Sequence, residues 1–273
     1  MPLRCLYTDL DGTLLGRGAS LFRDAEGNFT QLPARALEAC HRADVEVVIM
    51  SGRRRAQVME GARLMGQTAY IYEVGCGLTL EGEDTLLTGD LTPTPERNVH
   101  ALVEDSGAPA LLLESYSGRL EPHAPWHRDR EFSHLMRGLV DAGEANELLA
   151  RRGHGNLRLV DNGALSRGET GLEVDGTPHA YHLIPRAASK GNAVAAHMRA
   201  RSYAPEDCIG VGDSREDVGV AEFVGRFYLV ANAVERDPEI RAHAPAGSSV
   251  EITEARNGEG VYEAVVRSLA ERR

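Results

Sequence analysis

Two aspartates, Asp9 and Asp11, stand two apart at the end of an apolar run, in the segment LRCLYTDLDGTLL from Leu3 to Leu15. Side chains at i and i+2 of an extended chain leave from the same face, so both carboxylates are expected in one crevice if extended geometry persists to Asp11. Paired carboxylates repel, and a hard divalent cation such as Mg2+ is the usual remedy. The competing reading is an Asp-Gly turn with solvated acids, since Gly12 and Thr13 follow at once. Two more acids, Asp213 and Asp217, lie in GDSRED at Gly212 to Asp217, again directly after an apolar run.

Of the 30 basic residues 29 are arginine. The single lysine, Lys190, sits in Ser189-Lys190-Gly191. A hydroxyl and a small residue, Ser51-Gly52-Arg53, follow a third apolar run, VEVVIM at Val45 to Met50. Each of these has a plainer reading: Ser51 as a cap of the next helix, Asp213 as an N-cap and Asp217 as a solvated first-turn acid, Lys190 as a surface lysine.

The elements that must position them alternate. Strands are expected at the opening run, Val45 to Met50, Ala69 to Tyr72, Cys208 to Val211 and Arg226 to Val230. Helices are expected from Pro33, over Arg54 to Met65, over Ser189 to Arg201, after Ser214, and over Gly258 to Ala270. This rhythm predicts an α/β fold, a doubly wound parallel sheet in which ligands bind at the carboxyl ends of the strands. Gly75-Cys76-Gly77 reads as a sharp turn, and Asp-Ala-Glu-Gly-Asn at Asp24 to Asn28 as the tip of a hairpin flap. Between about Asp84 and Ile184 the pattern breaks. Prolines fragment it, with strands expected at Ala110 to Glu114, Leu157 to Val160 and His179 to Ile184, and helices at Pro95 to Asp105 and Phe132 to Arg151. Residues 84–184 are therefore expected to be an inserted α+β unit, with 1–83 and 185–273 forming the core.

At 273 residues the chain has room for such a core plus insertion, with ordinary globular composition of 42% hydrophobic and 26% charged residues. A net charge of −11 disfavours a nucleic-acid partner. No apolar stretch approaches membrane-spanning length, so no membrane partner and a cytoplasmic location are expected. The four cysteines show no CxxC spacing, and free buried thiols are expected. Oligomeric state is not legible.

Taken together, DLDGT at Asp9 to Thr13, SGR at Ser51 to Arg53, SKG at Ser189 to Gly191 and GDSRED at Gly212 to Asp217 resemble the four ordered motifs of the haloacid dehalogenase superfamily. The position of the insertion resembles the type IIB cap of its Cof-like branch, which includes sucrose-phosphate and mannosyl-3-phosphoglycerate phosphatases. The resemblance implies a Rossmann-like core and a Mg2+-dependent phosphomonoesterase acting on a small phosphorylated metabolite, a sugar phosphate or glycosyl-phosphoglycerate. It implies Asp9 as nucleophile forming an aspartyl-phosphate, Asp11 as general acid and then base, and Ser51, the Gly52 amide and Lys190 on the phosphoryl oxygens. Asp9, Asp213 and the backbone carbonyl of Asp11 would hold Mg2+, with Asp217 orienting that shell. The alternatives are a phosphohexomutase of the phosphomannomutase type and a non-catalytic sugar-phosphate sensor. Retention of both Asp9 and Asp11 argues against the sensor. Glu216 stands where family members often carry Asn, and Gly75-Cys76-Gly77 where Cof-like proteins often show Asn-Gly.

Arg53, Arg54 and Arg55 read as a solvated helix start. His123, His127 and His134, with Trp126, fit no standard zinc spacing and read as surface histidines of a loop. No GxxxxGK[ST] or GxGxxG occurs.

Overall fold

The computed structural model describes residues 2–165 and 171–271. Twelve strands among them are β1 (Cys5–Thr8), β2 (Glu46–Met50), β3 (Ala69–Tyr72), β4 (Gly77–Leu80), β5 (Glu83–Leu86), β6 (Leu120–Pro122), β7 (His134–Gly138), β8 (Leu157–Ala164), β9 (His179–Pro185), β10 (Cys208–Gly212), β11 (Arg226–Leu229) and β12 (Val250–Ile252). The helices are α1 (Leu32–Arg42), α2 (Arg55–Leu64), α3 (Val99–Asp105), α4 (Ala108–Ser115), α5 (Ala142–Arg151), α6 (Lys190–Arg201), α7 (Arg215–Val218), α8 (Ala231–Arg236) and α9 (Asn257–Glu271).

The larger sheet has the order β12-β11-β10-β1-β2-β3-β4-β5. It is parallel from β12 to β3, and β4 and β5 add an antiparallel edge. Alternate residues of each central strand feed two separate cores, as a sheet covered on both faces requires. Leu6, Val47, Ile49, Ile209 and Val211 face one core, with Ala36 of α1, Val58 of α2 and Val261 of α9. Cys5, Tyr7, Val48, Met50 and Cys208 face the other, with Val194 of α6 and Val218 of α7. From β1 the chain winds outward to β2 and β3, and after the insertion it winds the other way through β10 and β11. The crevice between β1 and β10 is thus the topological switch point, where open α/β sheets bind ligands.

The second sheet, β6-β7-β9-β8, is antiparallel. The chain leaves the large sheet after Leu86, so residues 84–86 pair with β4 inside it. Residues 166–170 lie outside the described residues.

Several sequence expectations fail in this region. Ala110 to Glu114 is not a strand but the body of α4. A short apolar run does not separate the two states, and Pro109 in the first turn, with Ala and Leu after it, favours helix. Phe132 to Arg151 is not one helix. It splits into β7, whose Gly138 packs too tightly on the Arg119 carbonyl to carry a Cβ, and α5, whose N-cap Asp141 accepts from the Glu144 amide at 2.8 Å. Pro95 to Asp105 is helical only from Val99, after the Asn98 cap. The β4–β5 hairpin, β12 and α8 have no counterpart in the sequence reading.

The four cysteines are buried and free. Among the described residues no helix is long and apolar enough to cross a membrane.

Candidate active site

Three strand ends and one helix start converge at the switch point. Asp9 follows β1, Ser51 follows β2, Asp213 follows β10, and Lys190 is the first residue of α6 behind its N-cap Ser189. Lys190 is 1% exposed. Its Nζ lies 2.7 Å from Asp9 Oδ1 and 2.6 Å from Asp217 Oδ1. Burial opposes its charge, but Asp217 and Asp9 more than offset this and raise its pKa above that of an ordinary lysine. Asp9 is also pushed well up, by burial first, with Lys190 pulling it down and Asp217 and Asp213 pushing it further up. The three carboxylates carry more negative charge than Lys190 neutralises, and burial adds to the penalty, so the pocket attracts a further proton or cation.

The other two acids are anchored. Asp217 is fully buried, and its Oδ2 accepts from Ser214 Oγ at 2.7 Å, the Ser214 amide at 3.0 Å and the Asp213 amide at 3.2 Å. It is not a solvated acid. The N-cap of α7 is Ser214 rather than Asp213. Asp213 accepts from Thr13 Oγ1 at 3.0 Å and pairs with the Arg236 guanidinium. Burial raises its pKa, with Arg236 opposing and Asp217 adding to the rise. Gly12 has φ +84°, and a Cβ there would come within 2.2 Å of Asp213 Oδ2, so only glycine allows the first motif this close to the fourth.

Carboxylate oxygens of Asp9, Asp213 and Asp217 lie within 4.8 Å of one another, all buried. Hard oxygen donors at this spacing, with the Asp9 and Asp213 pKa values raised first by burial and then by the neighbouring carboxylates, fit a Mg2+ ion. The filled hydrogen-bonding of Asp217 suits a residue that orients the others.

Asp11 is placed differently from the first expectation. Strand β1 ends at Thr8, and the chain turns at once, with the Thr13 amide bonding to the Leu10 carbonyl and the Leu14 amide to the Asp9 carbonyl. Extended geometry does not reach Asp11, and its carboxylate lies 53% exposed against Arg53, bound at 2.7 Å by Nε and 2.6 Å by Nη2. Ser51 is buried and accepts from the Arg53 amide at 3.2 Å. It does not cap α2, whose N-cap is Arg54. Nor are the three arginines a solvated face. Arg54 reaches the Arg128 carbonyl and Asp129 of the insertion, and Arg55 pairs with Asp84.

Functional neighbours that the sequence did not reveal come from the insertion. Arg158 of β8 grips Glu216 with both nitrogens, at 2.9 and 3.2 Å, and Glu216 also accepts from the Lys190 amide at 3.2 Å. The glutamate therefore links the insertion to the third and fourth motifs. Buried Glu73, just after β3, accepts from the Glu131, Phe132 and Ser133 amides and from Ser133 Oγ. Arg130 Nη1 bonds to the Gly52 carbonyl at 3.1 Å. His134 is a buried strand residue stacked on His100 with ring centroids 3.8 Å apart, not a surface histidine. His123 and His127 are partly buried, each with Nδ1 inside. Long-range pairing of this kind leaves no periodic signal in sequence.

No protein-family model matches the chain. A phosphoglycolate phosphatase of Methanothermobacter thermautotrophicus is 24% identical over 267 residues, covering 98% of this chain and 99% of that protein. Among solved structures, the sucrose-phosphatase of Synechocystis sp. PCC6803, in complex with sucrose and phosphate, superposes with a TM-score of 0.63 at 18% identity, over 98% of each chain. A haloacid dehalogenase-like hydrolase from B. subtilis does so with a TM-score of 0.60 at 20% identity, over 97% of this chain and 99% of that one. In this fold, and in the four motif segments meeting in order at one switch point, the chain is similar to the haloacid dehalogenase-like hydrolases.

Proposed function

We propose that the chain is a Mg2+-dependent phosphomonoesterase that hydrolyses a small phosphorylated metabolite through an aspartyl-phosphate on Asp9. The observation that carries this reading is the buried cluster in which Lys190 bridges Asp9 and Asp217 beside Asp213. In the first step an Asp9 oxygen bonds to phosphorus while the bond to the leaving oxygen breaks, and Asp11 gives that oxygen its proton. In the second, Asp11 takes a proton from water, the water oxygen bonds to phosphorus, and the bond to Asp9 breaks. Lys190 stays within reach of the charge that builds on the phosphoryl group, and Ser51 and the Gly52 amide flank it. Asp11 must leave Arg53 to act, which makes Arg53 the residue that holds the acid in its resting position. Asp9 and Asp213 would hold the ion, with Asp217 as their support. Bound Mg2+ would neutralise phosphoryl charge at the carboxylates.

The insertion beyond Leu86, up to residue 184, serves in this reading as a lid over the site, supported by the contacts of Arg54, Arg130 and Arg158 across the two sheets. The relative's name makes phosphoglycolate one candidate substrate. Sugar phosphates and glycosyl-phosphoglycerates are the others.

The test is phosphate release from a panel of phosphomonoesters, with Mg2+ and with EDTA, by the parent and by Asp9→Asn. Release that needs Mg2+ and falls by at least about three powers of ten in Asp9→Asn is expected. Release by Asp9→Asn within about tenfold of the parent would remove Asp9 from its role. Transfer of the phosphoryl group to a second sugar position, without free phosphate, would favour the mutase instead.

A further inference from the structure

Two residues of the insertion pack against the turn that follows β2. A Cβ on Gly52 would lie 3.0 Å from His182 Nε2 and 3.2 Å from Asn162 Nδ2, so β9 and β8 set an imidazole and an amide directly against the Ser51–Gly52 turn. His182 is 2% exposed. Asn162 Oδ1 is buried and has no hydrogen-bond partner among the described residues.

The hydrogen bonds around His182 assign its tautomer. Glu73 accepts from Ser133 Oγ at 2.6 Å, which commits the one proton of that hydroxyl. The lone pairs of Ser133 Oγ then receive Arg130 Nη1 at 2.9 Å and face His182 Nδ1 at 3.4 Å. Nδ1 accordingly carries the ring proton, and Nε2, on the Gly52 side, is an acceptor. The ring stays neutral, because burial, with the charges of Arg130, Lys190 and His123 adding to it, pushes its pKa well below the usual histidine range. A phosphoryl or carboxylate oxygen offers no proton to such a nitrogen. A hydroxyl does, and the Asn162 amide supplies a second acceptor and a donor for its oxygen.

We propose that His182 and Asn162 form a hydroxyl-reading subsite, which selects phosphomonoesters carrying a hydroxyl group close to the phosphate, as polyol and sugar phosphates do and phosphoglycolate does not. The proposal rests on the phosphomonoesterase reading and names the substrate class within it. Discrimination of this kind is strong because a buried acceptor left without a partner is costly.

Binding to the full chain as Asp9→Asn, with Mg2+, separates the two questions. Calorimetry with glycerol 3-phosphate and with propyl phosphate, its analogue without hydroxyls, should show the first binding at least about tenfold tighter. Asn162→Leu in the same background should shrink the ratio to about threefold or less, and His182→Phe should do the same. Equal affinities for the two esters, or a ratio intact in Asn162→Leu, would overturn the subsite. Release of phosphate from p-nitrophenyl phosphate by the parent is followed in parallel. Its absence overturns the phosphomonoesterase reading, whereas its presence without hydroxyl preference overturns the subsite alone.

Discussion

Replacing Lys190 with methionine keeps most of the side-chain volume and removes the charge that Asp9 and Asp217 share. The two carboxylates then face each other with oxygens no more than 4.8 Å apart. At an effective dielectric of about 20 that repulsion is worth about 3 kcal/mol, and breaking one partner out of a buried ion pair costs about 3–5 kcal/mol. Without Mg2+, Lys190→Met should therefore unfold in urea about 3–4 kcal/mol more easily than the parent at pH 7.5. The loss should shrink towards pH 5. In the parent, the raised pKa of Lys190 gives stability that is fully present below the unfolded lysine value and lost only as pH rises through the folded one, so it is constant across this range. Asp9, whose pKa burial already raises in the parent, loses in the variant the Lys190 charge that pulls it down, and so keeps to higher pH a proton that the unfolded chain releases above about pH 4. Folded-state stability of the variant thus falls as pH rises, and the gap to the parent widens. Mg2+ should restore part of the loss, and turnover should fall by at least about a thousandfold. A deficit under about 1 kcal/mol at pH 7.5, or one that does not change with pH, would refute the shared-charge account. The same burial means that amine-acylating reagents should leave Lys190 unmodified in the folded protein and label it in urea.

Gly12→Ala should lower stability by about 2 kcal/mol, from the left-handed φ and the push on Asp213, and weaken Mg2+ stabilisation measured by thermal melts. Unchanged melts with and without Mg2+ would contradict the close approach of the first and fourth motifs. Arg158→Leu leaves Glu216 partly buried with only the Lys190 amide among its described partners, and should cost about 2 kcal/mol while speeding hydrogen exchange in β8. Exchange as slow as in the parent would show that this pair does not hold the insertion. Glu46 starts the central strand β2, at the strand end away from Ser51. Burial would raise its pKa, but His197, Arg201 and Tyr203 bring it down to about 2. A depressed carboxylate stabilises above its unfolded value and loses that contribution as pH falls through the folded one. The advantage of the parent over Glu46→Gln, about 1–2 kcal/mol after allowing for partial exposure, should therefore disappear between about pH 4.5 and pH 2. A constant difference down to pH 2 would place the effect in packing instead.

The sequence by itself determined the α/β winding and the four segments, because each is local. An apolar strand, a small turn and a helix start occupy consecutive residues, and DLDGT, SGR, SKG and GDSRED each sit at such a junction. It also singled out Lys190, whose rarity was visible in composition. Tertiary structure decided what depends on residues distant along the chain. The turn after Thr8 sends Asp11 to Arg53 rather than beside Asp9, and only the folded β1–β2 pair brings that arginine into reach. Glu216 finds its meaning in Arg158, 58 residues earlier, and Gly52 in Asn162 and His182, which the antiparallel sheet carries over it. In the insertion, where apolar runs are short and prolines frequent, local pattern did not separate α4 from a strand or β7 from a helix. Cross-strand pairing and capping settled those states, and neither is written in the segments themselves.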